Sequence, residues 1–197
     1  MEGEFMSQKN RLPEVMVFAG PNGSGKTTIT RMAKTAGVYI NADDIKKSSL
    51  CSDLEAAQKA EELRESMLKK GEDFTFETVL STDRNLKLLK KAKEKGYFLR
   101  CIYVLTDDYE INIARVRMRQ SMGGHGVPED KIKSRYEKAL NLIPELIKTC
   151  DIVHIYDNTV SPFRIFKKRK DVYYHWENNY WNYSDIEKLT GINKYEN

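Results

Sequence analysis

The stretch Gly20-Pro21-Asn22-Gly23-Ser24-Gly25-Lys26-Thr27 constrains this chain more than any other. Two glycines with four residues between them, followed by Lys and Thr, form the phosphate-binding-loop pattern. That pattern has meaning only between a strand and a helix. Both flanks are present: the apolar run Val15-Met16-Val17-Phe18-Ala19 leads in, a helix-compatible segment follows, and Thr28 extends the motif. Glycines permit backbone conformations closed to other residues, so successive N–H groups turn inward around a phosphate. The following helix aims its positive end at the same anion. Gly20, Asn22, Gly23, Ser24, Gly25, Lys26, Thr27 and Thr28 are therefore the expected nucleotide-binding set, with ATP or GTP as ligand. Lys26 offers a point charge to the outer phosphates, and the Thr27 hydroxyl is the expected Mg²⁺ ligand. The loop specifies a nucleoside triphosphate and leaves open what receives the phosphate.

Strands alternate with helices after it. A helix from about Lys26 is expected to end near Gly37, a natural left-handed stop. Val38-Tyr39-Ile40 reads as a second strand delivering Asn41-Ala42-Asp43-Asp44 at its exit. Ser52-Asp53-Leu54-Glu55 is a capping box. Behind it Ala56, Ala60, Leu63 and Met67 share one helical face, and Gly71 closes that helix. Phe74-Thr75-Phe76 is a third strand, with Glu77 and Thr78 at its exit. Asp83 to about Lys95 is a helix with Leu86 and Leu89 inward, and Tyr97–Leu105 is the longest strand and central. This alternation predicts an α/β fold with a parallel sheet covered on both faces. Ligands of such sheets bind beyond the carboxyl ends of the strands. The glycine-rich loop, Asp43 and Glu77 all lie there.

From Asp108 to about Gln120 a further helix is expected. At about 100° per residue, Ile111, Ala114, Met118 and Met122 form its apolar stripe. Arg115 and Arg119 lie together at one edge of that stripe, and Arg117 points away to solvent. Gly123-Gly124-His125-Gly126-Val127-Pro128 is a flexible loop, with Pro128 suited to the first turn of the next helix. That helix carries Ile132, Tyr136, Ala139 or Leu140, and Ile143 inward, and Pro144 divides it. Asp151–Tyr156 is a fifth strand. Phe163–Lys167 and Val172–Tyr174 form an antiparallel pair around a solvated tip at Lys168-Arg169-Lys170. Beyond His175 the chain is rich in Trp, Tyr and Asn, which suits a terminal segment packed on the core.

Phosphoryl transfer needs a cradle, a metal, cations on the migrating group and a residue that orients the nucleophile. Asp43 can accept a proton from a substrate hydroxyl, with Asp44 an alternative occupant of that role; a helix cap is the other reading of Asp43. Glu77 suits an outer contact to Mg²⁺ or, with Thr78, substrate orientation. Arg115 and Arg119 suit charge stabilisation on the transferred group. His125 suits contact with nucleotide or substrate. Net charge is 33 − 29 = +4, which fits anionic small molecules and no nucleic-acid partner. The three cysteines have no metal-ligand spacing. No secretory pattern and no run of membrane-spanning length is present, so a cytoplasmic protein is expected.

Gly-Pro-Asn-Gly-Ser-Gly-Lys-Thr-Thr at 20–28, Asn-Ala-Asp at 41–43, Phe-Glu-Thr with Leu-Ser at 76–81, and Gly-Gly-His-Gly-Val-Pro-Glu at 123–129 resemble the zeta-toxin family of P-loop kinases. The likeness is greatest to its chromosomal branch, often labelled predicted ABC-type ATPase. The resemblance spans about residues 14–158. It implies a three-layer α/β/α, adenylate-kinase-like P-loop fold with a short lid. It also implies Lys26 on the β- and γ-phosphates, Asp43 as base, Glu77 as the acid after the third strand, and Arg115 and Arg119 on the γ-phosphate. Members of the family phosphorylate UDP-N-acetylglucosamine on a sugar hydroxyl, and an antitoxin protein is a possible partner. At the lid this chain departs from them, with His125 near a position where they carry arginine.

The chain thus reads as residues 1–12 forming a disordered end or a scar ahead of Met6, 13–160 forming a P-loop kinase-like domain, and 161–197 forming a hairpin and aromatic tail packed on it. The expected activity is ATP- or GTP-dependent phosphorylation of a small-molecule hydroxyl. The alternatives are a nucleotide-hydrolysing switch and an antitoxin-bound nucleotide-binding module without turnover.

Overall fold

The computed structural model describes residues 11–124 and 126–195, so the expectations for the first ten residues and for His125 lie outside it. The elements in chain order are β1 (Glu14–Ala19), α1 (Lys26–Met32), β2 (Val38–Ile40), α2 (Ala42–Ser49), α3 (Asp53–Lys70), β3 (Phe74–Thr78), α4 (Arg84–Glu94) and β4 (Phe98–Leu105). They continue with α5 (Tyr109–Ser121), α6 (Glu129–Asn141), α7 (Ile143–Thr149), β5 (Ile152–Asp157), β6 (Phe163–Arg169), β7 (Val172–His175) and α8 (Tyr183–Thr190). The seven strands form one sheet in the order β2-β3-β1-β4-β5-β6-β7. β2, β3, β1, β4 and β5 run parallel. The expected parallel sheet is thus extended: β6 joins β5 antiparallel across a bulge at Ile155/Tyr156, and β7 follows antiparallel on β6.

Position in the sheet explains composition. β1 lies between β3 and β4 and is buried along its whole length, hence its continuous apolar run. Val15, Val17 and Ala19 join the main core with Leu89, Leu99, Cys101, Ile147 and Val153, while Met16 and Phe18 are buried on the other face. α4 packs on β4 and α7, and α7 packs on α8. The tail segment adds Trp181, Ile186 and Leu189 to that same core. His175, Tyr183 and Tyr195 pack ring against ring around it, at centroid distances of 5.0 Å, 4.3 Å and 5.5 Å. All three cysteines are free thiols. No helix among the described residues is long and apolar enough to cross a membrane.

Several local expectations are corrected. α1 stops at Met32, and Gly37 serves a different purpose from ending it. Its φ is +54°, and a Cβ there would stand 1.8 Å from the Asp73 carbonyl oxygen; the residue is small because the lead into β2 crosses that backbone. On α3 it is Arg64 that is buried, its guanidinium 5.2 Å from the Phe76 ring centroid, whereas Leu63 is 42% exposed. Lys168 is not at a solvated tip: it is buried and its ammonium donates to the Ile147 carbonyl. Pro128 takes the N-cap position of α6 and not its first turn.

Gly37→Ala and Gly71→Ala separate strain from crowding. Both residues have positive φ, but nothing lies within 4 Å of a Cβ at Gly71. Gly71→Ala is expected to cost roughly 1 kcal/mol in urea denaturation. Gly37→Ala is expected to cost at least about 1 kcal/mol more, since backbone must move. Equal midpoints would mean that the Asp73 contact is relaxed at no cost.

Candidate active site

The glycine-rich loop turns sharply off the end of β1. Gly20 has φ +138°, and a Cβ there would come within 1.9 Å of the Val104 carbonyl oxygen on β4. Its N–H donates to the Thr78 carbonyl of β3 at 3.2 Å, so the loop leaves the sheet wedged between its two neighbouring strands. Two asparagine side chains hold the loop further out. Asn112 of α5 donates to the Asn22 carbonyl at 2.7 Å, and Asn158, beyond β5, donates to the Ser24 carbonyl at 2.8 Å. Neither was expected from sequence. Asn158 read only as part of a turn, and Asn112 lay outside the apolar stripe assigned to its helix.

That stripe is the main correction at the site. Met118 and Met122 are 64% and 77% exposed, whereas Asn112 and Val116 are the buried residues of α5. The helix is therefore rotated, and the Asn112–Val116 face turns toward the loop. Arg115 and Arg119 come with it into one cavity of about 600 Å³, together with Lys26, Thr27, Asp43 and Glu77. Asp44, Thr78, Asn22, Gly23, Gly25 and Thr28 also line this cavity. Arg117 points outward and pairs with Glu129 at 2.5 Å. Sequence-distant candidates thus share one cleft. Ser24 is wholly buried below it, and the Thr78 hydroxyl is engaged from behind by Asn85 at 2.8 Å.

A hydrogen-bonded chain joins the two sides of the cleft. Thr27 donates through Oγ1 to Glu77 Oε2 at 3.1 Å, and the Tyr39 hydroxyl donates to Glu77 Oε1 at 2.6 Å. Asn41 donates through Nδ2 to the Tyr39 oxygen at 3.0 Å and accepts the Asp43 N–H on Oδ1 at 2.8 Å. Asn41 is the N-cap of α2, so Asp43 and Asp44 stand in its first turn, where the helix dipole favours carboxylates. The cap role weighed for Asp43 belongs to Asn41. Tyr39, a further residue that sequence reasoning passed over, has its phenol pushed up by burial and by the Glu77 carboxylate.

Cations line the other wall. Lys26 folds over the loop and donates to the carbonyls of Gly20 at 2.7 Å and Pro21 at 2.9 Å. Burial lowers its ammonium to about 8, with Arg119 pushing the same way and Glu77 and Asp43 opposing. Among the described residues Arg115 is held by one bond, Nη2 to the Thr159 carbonyl at 2.9 Å, and its Nη1 is buried with no hydrogen-bond partner. A buried donor of that kind is costly unless an acceptor arrives. For a hard cation the cleft offers the Thr27 hydroxyl and the Glu77 carboxylate side by side. That oxygen set suits Mg²⁺, which needs few protein ligands when it also binds phosphate. The arrangement can bind a polyphosphate, neutralise it from one side and present a carboxylate from the other.

Comparison with known proteins gives the family and the fold. The family model described as zeta toxin matches residues 2–171. A Haemophilus influenzae (strain Rd) protein of uncharacterised function is 32% identical over 129 residues, 62% of this chain and 92% of that one. Among solved structures, one from the PezAT chromosomal toxin–antitoxin system of Streptococcus pneumoniae superposes with a TM-score of 0.56 at 19% identity, covering 82% of this chain and 75% of that one. The AvrRxo1-ORF1:ORF2 structure with ATP gives a TM-score of 0.70 at 15% identity, covering 92% of this chain and 64% of that one. At these identities the superpositions establish the fold.

Lys26 makes ligand capture measurable. With its ammonium lowered to about 8 by burial, the lysine is partly neutral at pH 8–9, and an incoming polyphosphate favours the charged form. Binding of ATP, the probe here, should therefore take up a proton in that window and weaken as pH rises through it. Calorimetry in buffers of different ionisation enthalpy reads this directly; identical heats in both would show that Lys26 is fully charged beforehand.

Proposed function

The chain belongs to the zeta-toxin family of P-loop kinases, and from that premise we propose that it moves the γ-phosphate of ATP or GTP to a hydroxyl of a small molecule, with Asp43 as the base. The observation that carries the reading is that Asp43 lines one cavity with Lys26, Arg115 and Arg119, so a carboxylate faces the phosphate loop across the cleft. A hydrolase asks only for an oriented water; a carboxylate opposite the cradle suits an alcohol acceptor.

The residues divide the work as follows. The backbone N–H groups of Gly23 to Thr27 hold the donor phosphates, and Lys26 lies against the outer ones. Arg115 and Arg119 spread over the migrating group, where charge on its oxygens shifts as the bond to the leaving oxygen breaks. Asp43 takes the acceptor's hydroxyl proton while the new oxygen–phosphorus bond forms. Thr27 and Glu77 would hold Mg²⁺, which supplies charge neutralisation between donor phosphates. Tyr39 and Asn41 are positioning residues, since they tie Glu77 to the start of α2. Thr78 belongs to the acceptor's side of the cleft.

UDP-N-acetylglucosamine is the first acceptor to try, on the strength of the family resemblance. An antitoxin-like partner that silences transfer belongs to the same proposal, supported by the PezAT toxin–antitoxin system and the AvrRxo1-ORF1:ORF2 complex among the structural relatives.

A screen with γ-labelled ATP against nucleotide sugars, nucleosides and simple polyols is expected to show transfer to at least one alcohol. Asp43→Asn should reduce that transfer by about 10²- to 10⁴-fold while ATP affinity is largely kept. Undiminished transfer would remove Asp43 from its role. Turnover of ATP at one rate whatever alcohol is added would favour the hydrolysing switch.

A further inference from the structure

A second cavity, of about 320 Å³, opens off the cleft and shares Asn22, Ala42 and Asp43 with it. Asp53 and Ala56 at the start of α3 form one wall, Gly126 to Pro128 another, and Lys131 with Arg135 of α6 close it. We propose that this cavity holds an anionic group of the acceptor, a phosphate or carboxylate, and that Lys131 and Arg135 bind it. The inference rests on the phosphotransfer reading, since it assigns a substrate class to the far side of the same base.

Charge balance carries the argument. Among the described residues the cavity has two acids, Asp43 and Asp53, and two cations, Lys131 and Arg135. Asp53 is already engaged, with Lys46 at 2.7 Å, and Asp43 faces the donor cleft as well. Lys131 and Arg135 have no ion pair among the described residues. Arg135 makes one contact, Nη1 to Asn22 Oδ1, at 3.5 Å, the outer limit of a hydrogen bond. A half-buried guanidinium with so little compensation favours an anion, and its planar fork matches a phosphate or carboxylate edge. The helix that presents it is firmly seated. Ile132, Tyr136 and Ala139 are buried, and the Tyr136 hydroxyl donates to the Thr106 carbonyl at 2.6 Å. Lys131 and Arg135 stand four residues apart, one turn along that helix, so both reach the same ligand. Asp43 then lies between two pockets that both contain cations, Lys26, Arg115 and Arg119 on the donor's side and Lys131 and Arg135 on the acceptor's. A hydroxyl close to an anionic group would be brought to the base by electrostatics on both sides.

Two measurements test this on the full chain. In the first, the protein is loaded with Mg²⁺ and a non-hydrolysable ATP analogue, so that the phosphate loop is filled, and titrated with inorganic phosphate by NMR. Phosphate should bind, and Lys131→Glu and Arg135→Met should each weaken it about tenfold or more. Arg135→Lys should restore part of the loss, and Lys133→Ala, on the same helix but facing Tyr109, should bind as the parent does. Failure of phosphate to bind, or binding untouched by the Lys131 and Arg135 variants, overturns the inference. In the second, γ-labelled transfer is compared between alcohol pairs that differ only by a phosphate or carboxylate. Preference for the charged member, lost in the variants, supports it. Equal transfer to neutral and charged members overturns it while leaving the kinase reading intact. Phosphate binding with no transfer to any alcohol supports the anion site and counts against the kinase reading.

Discussion

No side chain fits at position 20. The backbone there lies so close to the Val104 carbonyl that a Cβ would fall 1.9 Å from its oxygen, and the rest of the site follows from that contact. The loop leaves β1 close against β4, with the Gly20 N–H tied to the Thr78 carbonyl of β3. The neighbouring strands then set what the loop can see: β3 contributes Glu77, and the segment after β2 contributes Asp43. β1 runs between β3 and β4, so the glycine-rich loop is at the middle of the sheet and the carboxylates of Glu77 and Asp43 are to one side of it. Arg115 arrives from the other side, through the helix that follows β4.

The two sides are also electrically joined. Glu77 receives hydrogen bonds from Thr27 on the phosphate loop and from Tyr39 on β2, and Tyr39 in turn binds the asparagine that caps α2. The Glu77 charge helps to hold the Lys26 ammonium against the cost of its burial. Three acids, Asp43, Asp44 and Glu77, and five cations line the cleft, which is polarised between them. Such a field suits transfer of an anionic phosphoryl group, in which the incoming oxygen bonds to phosphorus and the electrons of the breaking bond stay on the leaving oxygen of the polyphosphate.

Much of this was legible in the sequence because it rests on backbone-level rules. Glycines five residues apart, an apolar run before them and acids at strand exits determine the loop, the sheet and the cleft in outline. What was not legible concerns polar side chains that are buried for what they hold. Apolar periodicity assigned the inner face of α5 to Ile111, Ala114, Met118 and Met122. The helix instead buries Asn112, which accepts from the Thr106 hydroxyl and donates to the loop. The same holds for Arg64 over Phe76 and for Lys168 on the Ile147 carbonyl: long cationic side chains with a specific partner took places that hydrophobicity assigned to others or to solvent. Tyr39 and Asn158 escaped notice because a three-residue strand and a turn give no pattern to read.

The strand order has one more consequence, in the timing of synthesis. β1 is made first, yet both strands that flank it come later in the chain, and the loop's asparagine clamps lie 90 and 134 residues beyond the backbone they hold. At roughly 5–20 residues per second, that separation leaves the loop without its second clamp for something like ten seconds on the ribosome. Until β3 and β4 have been made, Val15–Ala19 is a bare apolar segment, the kind of segment chaperones bind. The first part of the site to be translated is therefore the last to be locked in place.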